Sequence, residues 1–329
     1  MDLIGHTNTK NRIDVALKSA TARNSCIPHI LLAGVAGCGK TTTARWLSDI
    51  GNYDFLPVSP LTLKTKKDVY NLLSKLNTVG YSSVGDRIGK IKPTIIFFDE
   101  IHQMPVIGQE ILGIAMERFD LEADEPNKLI WLPYFSVVGA TTDDGILTKP
   151  FRERFKIKFI YESYNNEDMY KVTNYHASKR KLTITPKAIR SIVDRSRGIP
   201  RVMIGYLETI RDFMLAHEAS IITTNLVETT FESIGVDQTG LTSIDIAILK
   251  TLYGADKPIG LENLAIITNE SLKSITQTIE PYLIRRGFLL RTGKGRLITQ
   301  DGRNYLEECG HLGGDKPQKM FIDITHRRK

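Results

Sequence analysis

Apolar positions change their spacing along the chain, and the first change separates an α/β region from a helical one. Up to residue 164, short continuous apolar runs alternate with segments in which apolar residues recur at helical intervals. Continuous runs predict parallel strands buried on both faces, and their alternation with helices predicts an α/β sheet. The predicted strands are residues 30–33, 55–58, 94–100, 135–140 and 159–161.

Two further regions follow the α/β region. Helical spacing continues from residue 165 to 236, which predicts a small helical bundle. Residues 237–308 then show an amphipathic helix, two helices joined by a turn at 268–270, and a hairpin with its tip at 292–295. Helices followed by a hairpin are typical of a winged helix. We therefore expect domains at 1–164, 165–236 and 237–308, with a polar tail at 309–329.

Composition narrows the class of protein without identifying a function. The chain has 329 residues, of which 41% are hydrophobic and 25% charged, so it can build large cores. Its net charge of +7 suits an anionic partner but does not require one. Three cysteines without metal-ligand spacing fit a reducing compartment, and no signal peptide or membrane-length apolar run is evident. We expect a cytoplasmic protein.

The strongest motif is a phosphate loop at residues 34–41, with the pattern Gly-x-x-x-x-Gly-Lys-Thr between a predicted strand and a predicted helix. Glycines let the backbone N–H groups turn inward toward phosphate oxygens, and the helix N-terminus adds its positive dipole end. The alternative is an ordinary glycine-rich turn, but the Lys-Thr pair and both flanks favour the phosphate loop. The predicted nucleotide-binding residues here are Gly34, Gly37, Cys38, Gly39, Lys40, Thr41 and Thr42.

Two carboxylates, Asp99 and Glu100, end the predicted strand at 94–100. Ligands bind at the carboxyl ends of the strands in open α/β sheets. We expect Asp99 to hold Mg²⁺ together with the Thr41 hydroxyl, and Glu100 to polarise the attacking water. The alternative is a solvated acidic turn.

Two later positions offer further chemistry for a nucleoside triphosphate. Thr142, at the end of the strand at 135–140, is placed to sense the γ-phosphate, although a Thr-Thr pair alone is more often structural. An arginine within residues 150–155 is able to reach a neighbouring subunit's nucleotide as an arginine finger. Taken alone, Arg-Glu-Arg is usually a solvated helix face.

Basic residues gather at the predicted wing. Arg285 and Arg286 end the second helix, and Arg291, Lys294 and Arg296 lie in the hairpin. Such a set is able to bind phosphates without reading bases. A winged helix used for protein contact is the alternative.

Further motifs are Asp-Glu-Ile-His at 99–102, Gly-Ala-Thr-Thr at 139–142, Leu-Thr-x-Pro-Phe-Arg-Glu-Arg-Phe at 147–155, Arg-Ser-Arg-Gly-x-Pro-Arg at 195–201, and a segment at 280–296. In this order, and over nearly the whole chain, these motifs resemble the RuvB family of AAA+ motors for Holliday-junction branch migration. The resemblance implies an α/β RecA-like AAA+ domain with an α-helical lid and a C-terminal winged-helix domain, assembled as a homo-hexamer on double-stranded DNA. It implies ATP and Mg²⁺ as cofactors and the Holliday junction as substrate.

The resemblance also implies roles that spacing does not supply. Thr142 is similar to the sensor on the strand, and Arg154 to the finger offered in trans, with Arg152 as the alternative. Arg201 is similar to the second sensor, which couples the lid to the nucleotide.

Further implied roles concern the neighbouring nucleotide, the ATP site and the DNA. Glu117 resembles the acidic residue of a family segment near the neighbouring nucleotide, and Tyr164 matches a tyrosine near the ATP site. Arg291 and Arg296 match DNA contacts of the wing.

Departures from the family pattern leave alternatives open. Val35-Ala36 and Cys38 stand where the family has Pro-Pro and Leu, a change that keeps the backbone donors. Residues 119–135 are shorter than the hairpin that docks the junction-binding partner RuvA, which would fit a divergent, phage-encoded homologue with another partner. Other hypotheses are an AAA+ clamp or helicase loader and a nucleotide-gated DNA-binding regulator.

Overall fold

The computed structural model describes residues 3–77, 93–122, 129–255 and 257–310. The described part of the chain folds into two compact units. One contains the described residues up to His176 together with Gly198–Ile204, and the other contains Ala177–Arg197 and the described residues from Gly205 onward. Residues of the predicted lid therefore divide between the two units. The four-part division stays a prediction, and of the predicted tail only Cys309 and Gly310 lie within the described residues.

The first unit is built on a parallel five-stranded sheet, as the apolar runs predict. Its strand order is β2-β3-β6-β1-β7, and β4 and β5 form a separate antiparallel pair. Every residue of β6 is buried, which explains its unbroken apolar pattern. The strands are β1 (Ile30–Gly34), β2 (Asp54–Val58), β3 (Thr94–Phe98), β4 (Asp120–Glu122), β5 (Leu129–Trp131), β6 (Phe135–Thr141) and β7 (Ile157–Tyr161).

Two apolar cores cover the two faces of this sheet. Successive side chains of a strand point to opposite faces, so Ile95 and Phe97 enter one core while Ile96 and Phe98 enter the other. Helices α1 to α5 supply much of the remaining apolar surface of these cores. The helices of the first unit are α1 (Thr7–Ala22), α2 (Lys40–Gly51), α3 (Lys66–Asn77), α4 (Val106–Arg118), α5 (Lys149–Glu153) and the first part of α6 (Asn166–Lys179).

The strand order decides where the functional residues meet. Strands β1 and β3 lie on either side of β6, and all three are parallel. Their carboxyl ends therefore share one edge of the sheet. The phosphate loop leaves β1 there, Asp99 and Glu100 follow β3, and Thr142 follows β6.

The second unit joins lid helices to a winged helix. Strands β8 and β9 form an antiparallel hairpin, as expected for the wing. A helix over residues 300–308, which the sequence reading did not identify, follows it. The elements after α6 are α7 (Pro186–Arg195), α8 (Pro200–Ala216), α9 (Thr224–Ser233), α10 (Ser243–Tyr253), α11 (Leu261–Thr268), α12 (Leu272–Ser274), α13 (Glu280–Arg285), β8 (Leu289–Thr292), β9 (Gly295–Ile298) and α14 (Gln300–Glu308).

The second helix of the winged helix is not uniform. A π-helical segment, Ile275–Ile279, connects α12 to α13. Pro281 follows at the start of α13 and has no N–H to donate, so the ordinary i to i−4 bond cannot form at that residue. The wider turn accommodates this loss.

Candidate functional site

The phosphate loop has a backbone that its glycines alone permit. Gly34, Gly37 and Gly39 have φ values of +126°, +77° and +91°. A Cβ at Gly34 would lie 2.1 Å from the carbonyl oxygen of Tyr161, and one at Gly37 would lie 2.7 Å from Cβ of Arg201. The motif therefore reflects both left-handed conformations and close backbone approaches.

Lys40 opens helix α2 and is buried at the loop. Its Nζ donates to the carbonyl oxygens of Gly34 at 2.7 Å and Val35 at 3.0 Å. Burial lowers the pKa of the Lys40 ammonium, and the nearby Glu100 and Asp99 carboxylates oppose that shift. An ammonium has three donors, so these two bonds leave capacity for a phosphate oxygen.

The ends of β3 and β6 bring the predicted catalytic residues together. Thr142 donates to Oε2 of Glu100 from its Oγ at 3.0 Å and from its backbone N–H at 3.2 Å. Glu100 itself has a left-handed φ of +49°. His102, whose role the sequence reading did not identify, places Nδ1 3.2 Å from Oε2 of Glu100 and 2.9 Å from Oγ of Thr141.

The donor set for a divalent cation fits Mg²⁺. The Thr41 hydroxyl lies 3.4 Å from Oδ2 of Asp99. Both are oxygen donors, Asp99 is exposed, and both line the same cavity as Lys40. A hydroxyl and a carboxylate are the protein ligands that phosphate-loop proteins offer to Mg²⁺.

A cavity of about 480 Å³ collects most of the predicted nucleotide-binding residues. Its polar lining includes loop residues, the two carboxylates and Arg201, whose backbone N–H donates to the carbonyl oxygen of Gly37 at 3.3 Å. Its apolar and aromatic lining is suited to a base. The lining residues are Leu3, Ile4, Ala36, Gly37, Gly39, Lys40, Thr41, Thr42, Asp99, Glu100, Tyr164, Val172, Tyr175, His176, Pro200, Arg201 and Ile204.

Some predicted residues lie outside this lining. Cys38 is fully buried, with its side chain in the core that contains Ile13 and Tyr161, so that its backbone is the part available to a nucleotide. Arg154 donates to Oε2 of Glu117 at 2.6 Å, and neither residue lines the cavity. Within one subunit, Arg154 and Glu117 therefore lie outside the cavity that contains Lys40.

A buried histidine supports the segment that carries Glu117. His29 accepts a hydrogen bond from the N–H of Val137 at Nδ1 and lies 2.9 Å from the carbonyl oxygen of Met116 through Nε2. The first bond requires an unprotonated Nδ1, so Nε2–H donates to Met116. Burial lowers the pKa of His29 to about 4. The sequence offered no signal for this role, because the partners are 87 and 108 residues away.

The structure separates the arginines of the wing. Arg291 and Lys294 are exposed, as a contact with DNA phosphates requires. Arg296 is only 6% exposed and its guanidinium is paired with the buried carboxylate of Glu280, with Nη2 3.2 Å from Oε2. The predicted DNA contact of Arg296 is therefore corrected. Its side chain joins the wing to the helix beneath it and does not face solvent.

Fold and site together define a P-loop ATPase of the AAA+ class that carries a helical lid and a C-terminal winged helix. Three family models match consecutive parts of the chain: the RuvB P-loop domain of the Holliday junction DNA helicase at residues 1–160, the RuvB AAA lid domain at 164–237, and the RuvB C-terminal winged helix domain at 238–307. The chain belongs to the RuvB family.

Relatives and solved structures agree over most of the chain. The Holliday junction branch migration complex subunit RuvB of Campylobacter lari is 35% identical over 304 residues, which cover 90% of this chain and 86% of that protein. The subunit of the same name from Ehrlichia chaffeensis is 33% identical, covering 94% and 92%. The Thermotoga maritima RuvB Holliday junction branch migration motor has a TM-score of 0.78 at 31% identity, covering 92% and 95%.

These comparisons confirm the predicted family, fold and ATPase class. Apart from the contact of Arg296 corrected above, the roles of individual residues, the hexamer and the partner protein stay predictions. Among the helices that the structure describes, none is both long and apolar enough to span a bilayer.

Proposed function

We propose that this chain is an ATP-driven motor that translocates duplex DNA and drives branch migration of Holliday junctions. One observation carries the proposal: Lys40, Asp99 and Glu100 line one cavity at the edge of a RecA-like sheet. They do so in a chain that matches a branch-migration family from the P-loop domain to the winged helix.

The proposed hydrolytic mechanism uses the residues of that cavity. The loop N–H groups and Lys40 bind the phosphates of ATP, and Thr41 and Asp99 hold Mg²⁺. Bound Mg²⁺ neutralises charge on the phosphate oxygens. Glu100 orients and polarises the attacking water, and the two hydrogen bonds from Thr142 hold its carboxylate in place.

We propose that Arg154 completes the active site of a neighbouring subunit in a homo-hexamer. Its position outside the cavity of its own subunit supports a role in trans. Glu117 holds its guanidinium through a partly exposed ion pair, with side chains 34% and 54% exposed for Arg154 and Glu117. Such a pair contributes little stability and therefore releases the arginine at little cost.

The remaining parts of the proposal concern the lid and the DNA. Arg201, which lies against the phosphate loop, acts as the second sensor, and Tyr164 lies beside the nucleotide. We place the lid at 165–236 and the winged helix at 237–308. Arg291 and Lys294 bind the phosphate backbone, so affinity depends on salt and not on base sequence. A partner resembling RuvA docks the motor on the junction.

Branch migration of a synthetic Holliday junction by the full chain, with MgATP and with or without a RuvA-type partner, tests the motor directly. The wild type should dissociate the junction into duplexes by branch migration. Glu100→Gln should bind ATP but should not drive branch migration. A clamp or helicase loader would fail this assay and would need a ring-shaped client. Absence of branch migration, both without a partner and with every RuvA-type partner, would refute the proposed motor function.

Mixing inactive variants tests the shared active site. Arg154→Ala and Glu100→Gln should each be inactive, while mixed rings should recover ATP hydrolysis, since some interfaces then combine an intact carboxylate with an intact finger. The mixture of Arg152→Ala with Glu100→Gln is the matched control, because it removes a neighbouring arginine. Absence of recovery with Arg154→Ala would argue against the finger in trans.

A further inference from the structure

The N-terminal segment Leu3–His6 lies against the phosphate loop. Leu3 and Ile4 line the nucleotide cavity, and the hydroxyl of Tyr164 donates to the carbonyl oxygen of Ile4 at 3.3 Å. The imidazole of His6 places Nε2 3.2 Å from the carbonyl oxygen of Cys38, in the middle of the loop. This contact joins two parts of the chain that are 32 residues apart.

The position of the His6 ring is set by its surroundings. The ring lies between two aromatic rings, with centroid distances of 4.5 Å to Tyr161 and 4.6 Å to Tyr164. The His6 backbone is left-handed at φ +52°, and its carbonyl accepts the N–H of Lys10 as helix α1 begins. The start of α1 and the two tyrosines therefore hold the imidazole at the loop.

Burial favours a neutral His6 ring. It lowers the pKa of His6 by more than the hydrogen bond to the Cys38 carbonyl and the Asp168 carboxylate raise it, and Lys10 adds a smaller lowering. Burial raises the pKa of both Tyr161 and Tyr164, so the two phenols stay neutral. The Cys38 carbonyl can accept a hydrogen bond but cannot donate one. Nε2 of His6 therefore carries the proton and donates to it.

Peptide geometry gives this bond a consequence for the nucleotide. In a planar trans peptide the C=O of one residue and the N–H of the next point in opposite directions. The Cys38 carbonyl points toward His6, to which it is hydrogen-bonded, so the N–H of Gly39 points away from His6. Gly39 lines the nucleotide cavity, whereas His6 does not.

We propose that His6 is a positioning residue for nucleotide binding: its Nε2–H holds the Cys38 carbonyl and thereby keeps the Gly39 N–H aimed at the phosphates. The tyrosines orient the ring but do not replace its donor. A side chain that keeps an N–H donor at this place should preserve the loop, and one that keeps only the ring should not.

Two substitutions separate the donor from the packing. His6→Gln keeps an N–H donor, and His6→Phe keeps a ring without one. Equilibrium binding of fluorescent ADP to the full chain should be near wild type for His6→Gln and about three- to tenfold weaker for His6→Phe, as expected for one neutral hydrogen bond. His217→Gln, at an exposed histidine of the second unit, is the matched control. Wild-type affinity for His6→Phe, or equal weakening in both variants, would overturn the proposal.

A readout without nucleotide keeps this inference apart from the nucleotide-binding function on which it rests. In a Cys309→Ser background, maleimide labelling of Cys38 is followed by mass spectrometry of its peptide. His6→Phe should speed the labelling of this buried thiol severalfold, and His6→Gln should not. An unchanged Cys38 labelling rate in His6→Phe would refute the proposed role of the His6–Cys38 hydrogen bond, even if nucleotide binding were lost for another reason.

Discussion

The ion pair between Arg296 and Glu280 leads to a prediction about the wing that distinguishes a buried arginine from an exposed one. The two side chains are 8% and 3% exposed, and the guanidinium makes two contacts with the carboxylate. Arg291 faces Arg296 directly in the β8–β9 register and is exposed. The pair of neighbouring arginines therefore provides its own control.

Removing one partner of a buried pair leaves the other charge without compensation. Arg296→Met and Glu280→Leu should each destabilise the winged helix by about 3–5 kcal/mol, whereas the double substitution should be close to neutral. Arg291→Met, at the surface, should change stability by no more than about 0.5 kcal/mol. Its effect should appear in DNA binding, where loss of one phosphate contact lowers the slope of log K against log salt by about 0.9.

Hydrogen exchange of the peptides that cover β8, β9 and α13 measures the stability term locally. Arg296→Met should accelerate exchange of the protected amides by about 10²- to 4 × 10³-fold, and the double variant should restore protection. Fluorescence anisotropy of a labelled duplex at several salt concentrations measures how DNA affinity depends on salt. Unchanged exchange in Arg296→Met, together with a salt slope reduced as in Arg291→Met, would show that Arg296 faces DNA and that the reasoning is wrong.

Three further outcomes follow from the first unit. His29 has a folded pKa of about 4 against 6.5 when exposed, so stability should fall by about 3 kcal/mol as pH drops from 6.5 to 4; urea titrations of wild type and His29→Gln check this. Gly37→Ala should weaken ADP binding at least tenfold by calorimetry, because φ +77° and the Arg201 side chain both resist a Cβ. Asp99→Asn should lose most Mg²⁺-dependent ATP hydrolysis while retaining its melting temperature. Excess EDTA should stop ATP hydrolysis by the wild type.

The alternation of apolar runs and helical stripes was sufficient to predict the parallel sheet and the winged helix. These patterns are readable because burial on both faces removes polar residues from every position of a central strand. The phosphate loop is readable for a similar local reason. Its glycines satisfy backbone requirements within eight residues, and Asp99, Glu100 and Thr142 follow recognisable strand ends.

The partners of individual side chains needed the tertiary structure. Arg291 and Arg296 look alike in the sequence, yet only the folded hairpin places one in solvent and the other against Glu280. Likewise, nothing local connects His6 with the Cys38 carbonyl. Local sequence determines which elements form because the spacing of apolar residues along the chain matches the period of a helix or a strand. Which charge is buried, and which donor reaches the loop, depends on contacts between residues far apart in the chain, and these exist only after packing.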